Sequence, residues 1–230
     1  MHEDDAGPGV FGVEAKARGW ELDEWSISAG DPPPADPHDY DAVFSFGGAM
    51  HPNQEAEHPW MRIEKALLAR LLEDGVPTMG VCLGSQLLAD AAGAPAQRAT
   101  EPEIGWFDVE VTDAGKQDPL IGALEPGFEA LQWHSYCSPL PPGAVALASN
   151  EVGLQAYRID ASAWGIQFHA EVSEADAVSW AVHYEIDPDA VRIGIDADVL
   201  SAEILARIGA WNQLGRGLCG RFLDVAAAPA

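Results

Sequence analysis

Positively charged residues are scarce in this sequence. It holds 12 lysines and arginines against 37 aspartates and glutamates in 230 residues, which gives a formal net charge of −25. Proteins that bind nucleic acids use Lys and Arg to neutralise phosphates, and anionic membrane surfaces attract the same residues. We therefore expect neither a nucleic acid nor a membrane among the partners of this protein. The acidic excess reports on solubility rather than on fold.

Cysteine is also rare, and its three positions are Cys82, Cys137 and Cys219. An odd, sparse set without a C-x-x-C pair argues against both a disulfide framework and a cysteine-based zinc site. The N-terminus has no apolar core of the kind that signal peptides have, and no apolar run approaches the ~20 residues that span a bilayer. These absences predict a protein of the reducing cytoplasm.

Motifs for nucleotides and metals are missing as well. The chain has neither a P-loop nor a G-x-G-x-x-G turn, and the spacing of His51 and His58 fits no metal site. Acidic pairs near the C-terminus lack the glycine and the spacing of a calcium loop, so we interpret them as solvated turns and helix caps. These pairs are Asp187 with Asp189 and Asp196 with Asp198. We expect no metal and no cofactor.

Apolar residues, which make up 47% of the chain, follow strand and helix periods in alternation. The predicted strands cover residues 22–28, 42–48, 76–82, 105–112, 144–150, 154–160 and 163–169. The predicted helices cover residues 10–19, 60–74, 83–93, 173–185 and 199–227, and we expect Trp180 and Trp211 to serve helix packing. A Pro-rich loop is predicted at 31–41.

This order predicts one α/β domain over residues 1–172, with a helical extension, residues 173–230, packed on the same domain. An alternating fold usually opens with a buried strand, but a polar segment follows Met1 here. We therefore expect that a first strand either lies upstream or is lacking. The predicted domain and its extension take up all 230 residues, so they leave no room for an ATP-dependent synthase domain.

A nucleophile-elbow pattern joins the strand at 76–82 to the helix at 83–93. Residues 80–84 read GVCLG, which is G-x-nucleophile-x-G between a strand and a helix. The tight turn raises the side chain of Cys82 above the sheet, and the helix N-terminus favours its thiolate form. The alternative is a small buried cysteine in an ordinary strand-to-helix turn.

A candidate base follows the last predicted strand. His169 titrates in the range that a general base needs, and Glu171, two residues later, is close enough to fix its tautomer. The alternative is a solvated histidine at a strand end beside a glutamate that begins a helix. The two patterns together favour a cysteine nucleophile with a histidine base.

These residues resemble the class I glutamine amidotransferases, which use a Cys-His-Glu triad. The sequence is similar in particular to the stand-alone branch that resembles the GMP synthase glutaminase domain. The resemblance spans roughly residues 10–172. It is carried by GGAMHP (47–52), GVCLGSQLL (80–88), EIGW (103–106), QWHSY (132–136) and WGIQFHAEV (164–172).

The resemblance implies a role for each matching residue. Cys82 would attack the glutamine amide, His169 would act as base and then as acid, and Glu171 would hold His169. The backbone N–H groups of Gly48 and Leu83 would form the oxyanion hole. Three further residues would bind the substrate: Gln86 by its side chain, and His134 and Ser135 by their backbone.

The resemblance also implies a Rossmann-like, flavodoxin-like three-layer sandwich. Its central sheet would be mostly parallel, its C-terminal segment helical, and its site would lie at the carboxyl edge of the strands. Three departures from the family pattern stand out. Ala170 replaces a proline between His169 and Glu171, which predicts a looser geometry there; Ala49 replaces the proline after Gly48; and residues 136–138 read Tyr-Cys-Ser.

The leading functional hypothesis is hydrolysis of the glutamine side-chain amide to glutamate and ammonia, with a separate synthase protein that accepts the ammonia. A second hypothesis is γ-glutamyl peptide hydrolysis by the same triad, motivated by the changed 136–138 segment. A third is a regulatory subunit whose site is silent. We regard Cys137 as a small buried residue rather than a second nucleophile.

Overall fold

The computed structural model of this chain describes residues 1–31 and 39–228, and its centre is a single seven-stranded sheet. The spatial order of the strands is β1-β2-β7-β6-β5-β3-β4. The strands are β1 (Val43–Ser45), β2 (Thr78–Val81), β3 (Gln97–Val111), β4 (Gly127–Cys137), β5 (Val145–Ser149), β6 (Leu154–Ile159) and β7 (Ala163–Ile166).

The sheet is mixed, so the prediction of a mostly parallel sheet is wrong. Only β1, β2 and β7 run parallel to one another, whereas β6, β5, β3 and β4 each pair antiparallel with their neighbours. The short connections between β5, β6 and β7 leave no room for a crossover helix, and short connections give antiparallel hairpins. Hydrophobic periodicity does not reveal strand direction, which explains the error.

Helices pack on both faces of the sheet, and the α/β fold class is confirmed. They are α1 (Gly9–Ala17), α2 (Trp60–Asp74), α3 (Leu83–Ala91), α4 (Glu174–Val182), α5 (Pro188–Ile193) and α6 (Ala197–Ala226). On one face, α2 and α3 bury Leu68 and Leu87 against Tyr157 of β6. On the other face, α1 and α6 bury Phe11 and Phe222 against Trp164 of β7.

Two strands disagree with the predictions: one predicted strand is absent, and one observed strand was not predicted. Residues 22–28 form no strand and end in a 3₁₀ turn at Ile27–Ala29, while β4 (Gly127–Cys137) was not predicted. A strand needs a paired neighbour, and that pairing is a tertiary event that an alternating pattern alone does not guarantee. Most of the predicted loop at 31–41 lies outside the described residues.

Strand β1 lies at the edge of the sheet. A cleft of about 560 Å³ runs along this edge, lined by Val43, Phe44 and the segment from Trp20 to Trp25. The expectation about a further strand stays a prediction, as does the domain boundary at residue 172. Among the described residues, every helix is too short or too polar to cross a bilayer.

The C-terminal helix α6 packs closely on the segment that follows β7. Trp211 donates a hydrogen bond from its indole nitrogen to the carbonyl of His169 at 2.7 Å. A Cβ at Gly215 would lie 1.9 Å from the Ala170 carbonyl oxygen, so only glycine fits at this contact. The helix thus holds the backbone of residues 169–170 against the sheet.

We predict that Gly215→Ala lowers the free energy of unfolding by about 1–3 kcal/mol, the usual range for overpacking. Gly209→Ala is the matched control, because it lies in the same helix and a Cβ there meets nothing within 4 Å. That control should stabilise the protein by up to ~1 kcal/mol through helix propensity. Urea unfolding of both variants measures the difference, and equal effects would refute the close contact.

Candidate active site

The turn between β2 and α3 holds Cys82 in an unusual backbone conformation. Its φ is 49° and its ψ is −109°, and it is one of two non-glycine residues with positive φ recorded in the described chain. A Cβ at Gly84 would lie 2.1 Å from the Ser45 carbonyl oxygen, and one at Gly80 would lie 2.7 Å from the Gly84 oxygen. Two strands and a helix therefore meet here at a distance that only glycines allow, as the G-x-C-x-G pattern predicts.

Cys82 is the residue that caps the N-terminus of α3. Its residue exposure is 5%, and its sulfur lies 3.8 Å from the Trp133 carbonyl oxygen. The cysteine is free, as are Cys137 and Cys219. The sulfur therefore lies at the N-terminus of α3.

His169 follows β7 and faces this sulfur. Its Nδ1 lies 2.8 Å from Oε1 of Glu171, and both side chains are almost completely buried. The Glu171 carboxylate can only accept a hydrogen bond, so Nδ1 of His169 carries the proton. Nε2 is therefore the nitrogen that is available to Cys82, and the side chains of His169 and Cys82 interact. The structure thus brings Cys82, His169 and Glu171 together in the order that a triad requires.

The electrostatics of His169 favour its charged form. Burial lowers the pKa of His169, but the Glu171 carboxylate and the Cys82 sulfur outweigh burial and raise that pKa well above its ordinary value. A thiolate beside an imidazolium is the ion pair that cysteine nucleophiles use.

The predicted looseness at His169-Ala170-Glu171 is not seen. The His169 backbone N–H donates to the Leu131 carbonyl at 2.9 Å, and Trp211 holds the His169 carbonyl from the other side. A proline at position 170 would fix the backbone by restricting φ. Here hydrogen bonds to β4 and α6 fix the backbone of His169 instead.

The glycine turn after β1, which consists of Gly47 and Gly48, lies against Cys82 and His169. A Cβ at Gly47 would lie 3.0 Å from Cε1 of His169 and 3.7 Å from Cβ of Cys82, so a side chain there would collide with the imidazole. Among the described residues, the backbone N–H groups of Gly48 and Leu83 have no acceptor, and both residues line the same cavity as Cys82. They are free to donate to a bound ligand.

The three predicted substrate-binding residues lie on one wall of this cavity. The side chain of Gln86 is already engaged, since its nitrogen donates to the Tyr136 carbonyl at 2.8 Å and to Oε1 of Gln167 at 3.1 Å. The ring of His134 turns inward to Glu103, 3.0 Å away, which leaves the backbone of His134 and Ser135 at the cavity. Gln86 therefore holds the end of β4, which forms part of the cavity wall.

The cavity has a volume of about 220 Å³ and draws its walls from both ends of the chain. Glu3 and Asp5 come from the N-terminal segment, and Trp180, His183 and Asp187 come from the helical C-terminal segment. Sequence reasoning missed these contributions, because nothing in the local pattern tells which distant segment folds over a strand end.

Trp180 does more than pack helices, which corrects our interpretation of this residue. Its ring lies 4.9 Å from the His169 ring in an edge-to-face arrangement, and it lies 6.0 Å from the Trp133 ring. Edge-to-face pairs of this kind hold ring orientation. Trp180 is therefore part of the surroundings of the imidazole, whereas Trp211 serves packing and the hydrogen bond to His169 described above.

One residue of each acidic pair is a helix cap, as predicted, whereas Asp189 is buried rather than solvated. Asp187 and Asp196 cap α5 and α6 by accepting backbone N–H groups. Asp187 also accepts from the Trp133 indole at 2.9 Å. Asp189 is buried and forms an ion pair with Arg98, whose nitrogen lies 2.6 Å from its Oδ1. Over residues 1–31 and 39–228, no cluster of three metal-ligating side chains was found.

Comparison with known proteins supports a family assignment. The family model described as glutamine amidotransferase class-I matches residues 16–178. A relative from Salmonella typhimurium, named putative glutamine amidotransferase-like protein YfeJ, is 29% identical over 97% of this chain and 94% of its own length. A glutamine-hydrolysing GMP synthase subunit from Sulfurisphaera tokodaii is 28% identical over 60% of this chain and 71% of its own length.

Solved structures give the same result. A crystal structure of a glutamine amidotransferase from Thermotoga maritima matches with a TM-score of 0.87 and 25% identity, covering 97% of this chain and 96% of that one. The family model covers well over half of the chain, including the elbow and the His169 segment. This chain belongs to the class I glutamine amidotransferase family.

Proposed function

We propose that the protein hydrolyses the side-chain amide of glutamine to glutamate and ammonia through a thioester on Cys82. The observation that carries this proposal is the contact of a cysteine at a strained helix N-terminus with an imidazole that is itself paired to a buried carboxylate. Membership of the family supports the same chemistry, since glutamine is the amide donor that gives the family its name.

The chemistry follows from the positions of the groups. His169 takes the proton of Cys82, and the thiolate attacks the amide carbon of glutamine. The negative oxygen of the tetrahedral intermediate accepts the N–H groups of Gly48 and Leu83, and one such donor is typically worth about 2.7–4 kcal/mol. The imidazolium then gives its proton to the departing ammonia. Water, activated by the same imidazole, hydrolyses the γ-glutamyl thioester and releases glutamate.

Glutamine fits the cavity better than a γ-glutamyl peptide does. The volume of about 220 Å³ is below the ~300–1,000 Å³ typical of sites for drug-sized ligands, so it suits a single amino acid. The ring of Tyr136 also narrows it, since it is held over His51 with ring centroids 4.7 Å apart. Of the changed 136–138 segment, Tyr136 lines the cavity.

We also propose that the ammonia is delivered to a separate synthase protein. The sequence holds no nucleotide-binding motif, and the Sulfurisphaera relative is named as one subunit of a GMP synthase. The intact Cys82, His169 and Glu171 weigh against a silent regulatory role.

We predict that Cys82→Ser lowers glutamine hydrolysis by about 10³-fold or more, because loss of a nucleophile removes the whole covalent route. Brief exposure to glutamine followed by intact-protein mass spectrometry should show a γ-glutamyl adduct on the wild type and none on Cys82→Ser. Cys137→Ser is the matched control and should keep both activity and adduct. An adduct that persists in Cys82→Ser would contradict the proposal.

A second prediction concerns pH. In Glu171→Gln the carboxylate that raises the pKa of His169 is gone, so the imidazolium loses its proton at lower pH. The alkaline decline of kcat/KM for glutamine should therefore move to lower pH than in the wild type. Glu174→Gln, at an exposed site nearby, should leave the profile unchanged. An unmoved alkaline limb in Glu171→Gln would show that this carboxylate does not hold the imidazolium.

The same pair links stability to pH. Because the pKa of His169 is raised in the folded protein, the pair stabilises the fold at pH values below the ordinary pKa of histidine, and this contribution is lost as the pH rises through the raised pKa. Where Glu171 is ionised and His169 is protonated, Glu171→Gln should therefore be less stable than the wild type, and this deficit should shrink as the pH rises through the raised pKa of His169, as urea unfolding at several pH values would show.

A third prediction concerns the substrate. We expect kcat/KM for glutamine to exceed that for a γ-glutamyl dipeptide, because the second residue of the dipeptide has to leave the cavity past Tyr136 and His51. Release of glutamate from both substrates under identical conditions gives the comparison. Faster release from the dipeptide would favour γ-glutamyl peptide hydrolysis instead.

A further inference from the structure

A buried ionisable cluster lies behind the glycine turn, and the chemistry above does not use it. Nε2 of His2 lies 2.7 Å from Oε2 of Glu64, and the hydroxyl of Ser45 donates to the other oxygen of Glu64 at 2.6 Å. The His2 side chain is completely buried, and its ring stacks on Trp60 with centroids 4.9 Å apart. Three segments that are distant in sequence are thus joined under the turn.

The remaining nitrogen of His2 is bound to the turn itself. Nδ1 of His2 lies 2.9 Å from the carbonyl oxygen of Gly47. A carbonyl oxygen only accepts, so Nδ1 carries a proton and donates it. Burial raises the pKa of Glu64, but His2, Ser45 and the N-terminal ammonium outweigh burial and lower it, so Glu64 is ionised. Both ring nitrogens of His2 therefore face acceptors.

This contact decides the direction of the next N–H group. The only cis peptide bond recorded in the described chain is Glu125-Pro126, so the peptide between Gly47 and Gly48 is trans. In a planar trans peptide the C=O and the N–H point in opposite directions. Because His2 holds the Gly47 oxygen on the buried side, the N–H of Gly48 points away from His2, toward the cavity that holds Cys82.

Nothing in the turn itself fixes this direction. Gly47 and Gly48 have no side chains, and alanine follows where a proline would stiffen the backbone. A flip of the peptide would leave the Nδ1–H of His2 without its acceptor in a buried site, and an unsatisfied buried donor is costly. A Cβ at Gly48 would lie 2.9 Å from Cβ of His2, so the two residues are also in close steric contact.

We propose that His2 is a positioning residue that holds the Gly47–Gly48 peptide with its N–H directed at the oxyanion site, and that Glu64 and Ser45 hold His2. The inference rests on the proposed function in so far as Gly48 serves as an oxyanion donor. His2 touches no reacting atom, so its effect belongs to the step in which a carbonyl oxygen becomes negative.

Two reagents separate that step from the general reactivity of Cys82. Acylation by p-nitrophenyl acetate forms a thioester and expels p-nitrophenolate through a tetrahedral oxyanion. Alkylation by iodoacetamide displaces iodide at a saturated carbon, and no oxyanion forms. Both rates are measured on the full chain and corrected for the residual rate of Cys82→Ser.

Two variants of His2 separate its two hydrogen bonds. The amide nitrogen of His2→Asn can take the place of Nδ1 and donate to the Gly47 carbonyl, whereas that of His2→Gln reaches the place of Nε2 and contacts Glu64 only. We expect acylation to fall about 100-fold in His2→Gln, the loss typical of one oxyanion donor. Acylation in His2→Asn should stay near the wild-type rate, and alkylation should be unchanged in both.

The control is His58→Asn, because His58 lies against the same Trp60 ring without touching the turn. It should leave both rates unchanged. Equal losses of acylation in His2→Asn and His2→Gln, a parallel loss of alkylation, or full acylation in His2→Gln would each overturn the proposal. Hydrolysis of glutamine by the wild type is measured separately by glutamate release, so its absence would refute the proposed function but not the comparison of reagents.

Should the His2 variants fail to fold, Glu64→Gln carries the same test. It keeps the size of the side chain and replaces the carboxylate that accepts from Nε2 of His2. Acylation should then fall while alkylation stays constant, and a loss of both in step would overturn the role of the cluster.

Discussion

The approach of β1, β2 and α3 at the Cys82 turn is the constraint on which the site depends. Gly84 packs against the Ser45 carbonyl at a distance that admits no Cβ, and Cys82 takes up a positive φ as a result. Such a conformation is unfavourable for a side-chain-bearing residue and persists only where the surroundings enforce it. This conformation places the sulfur at the start of a helix, in front of the imidazole of His169.

Three buried histidine–glutamate pairs surround the turn: His169 with Glu171, His134 with Glu103, and His2 with Glu64. Buried charges are tolerated when they are paired and hydrogen-bonded, and removing one partner is strongly destabilising. The first pair is the one to which we assign the chemistry. The second lies behind the wall that β4 contributes, and the third lies under the turn at Gly47 and Gly48.

Segments outside the central sheet contact the site residues and hold them in position. α6 fixes the backbone of His169 through Trp211 and the close contact at Gly215, while α4 places Trp180 against the imidazole. The N-terminal segment supplies His2 beneath the turn and Glu3 at its rim, where the Glu3 carboxylate accepts the Ala49 N–H at 2.9 Å. The site is therefore held by parts of the chain that carry none of its reacting groups.

The sequence by itself determined the local chemistry of this protein. The G-x-C-x-G turn, the helix at 60–74, and the spacing of His169 and Glu171 follow from sterics and periodicity within a few residues, and the structure contains them at those positions. Strand direction, the pairing of β4, the place of Trp180 at the imidazole and the contact of His2 with Gly47 were decided only by tertiary structure. Each of these depends on which distant segments meet, and such a meeting is fixed by packing over the whole core rather than by any local pattern.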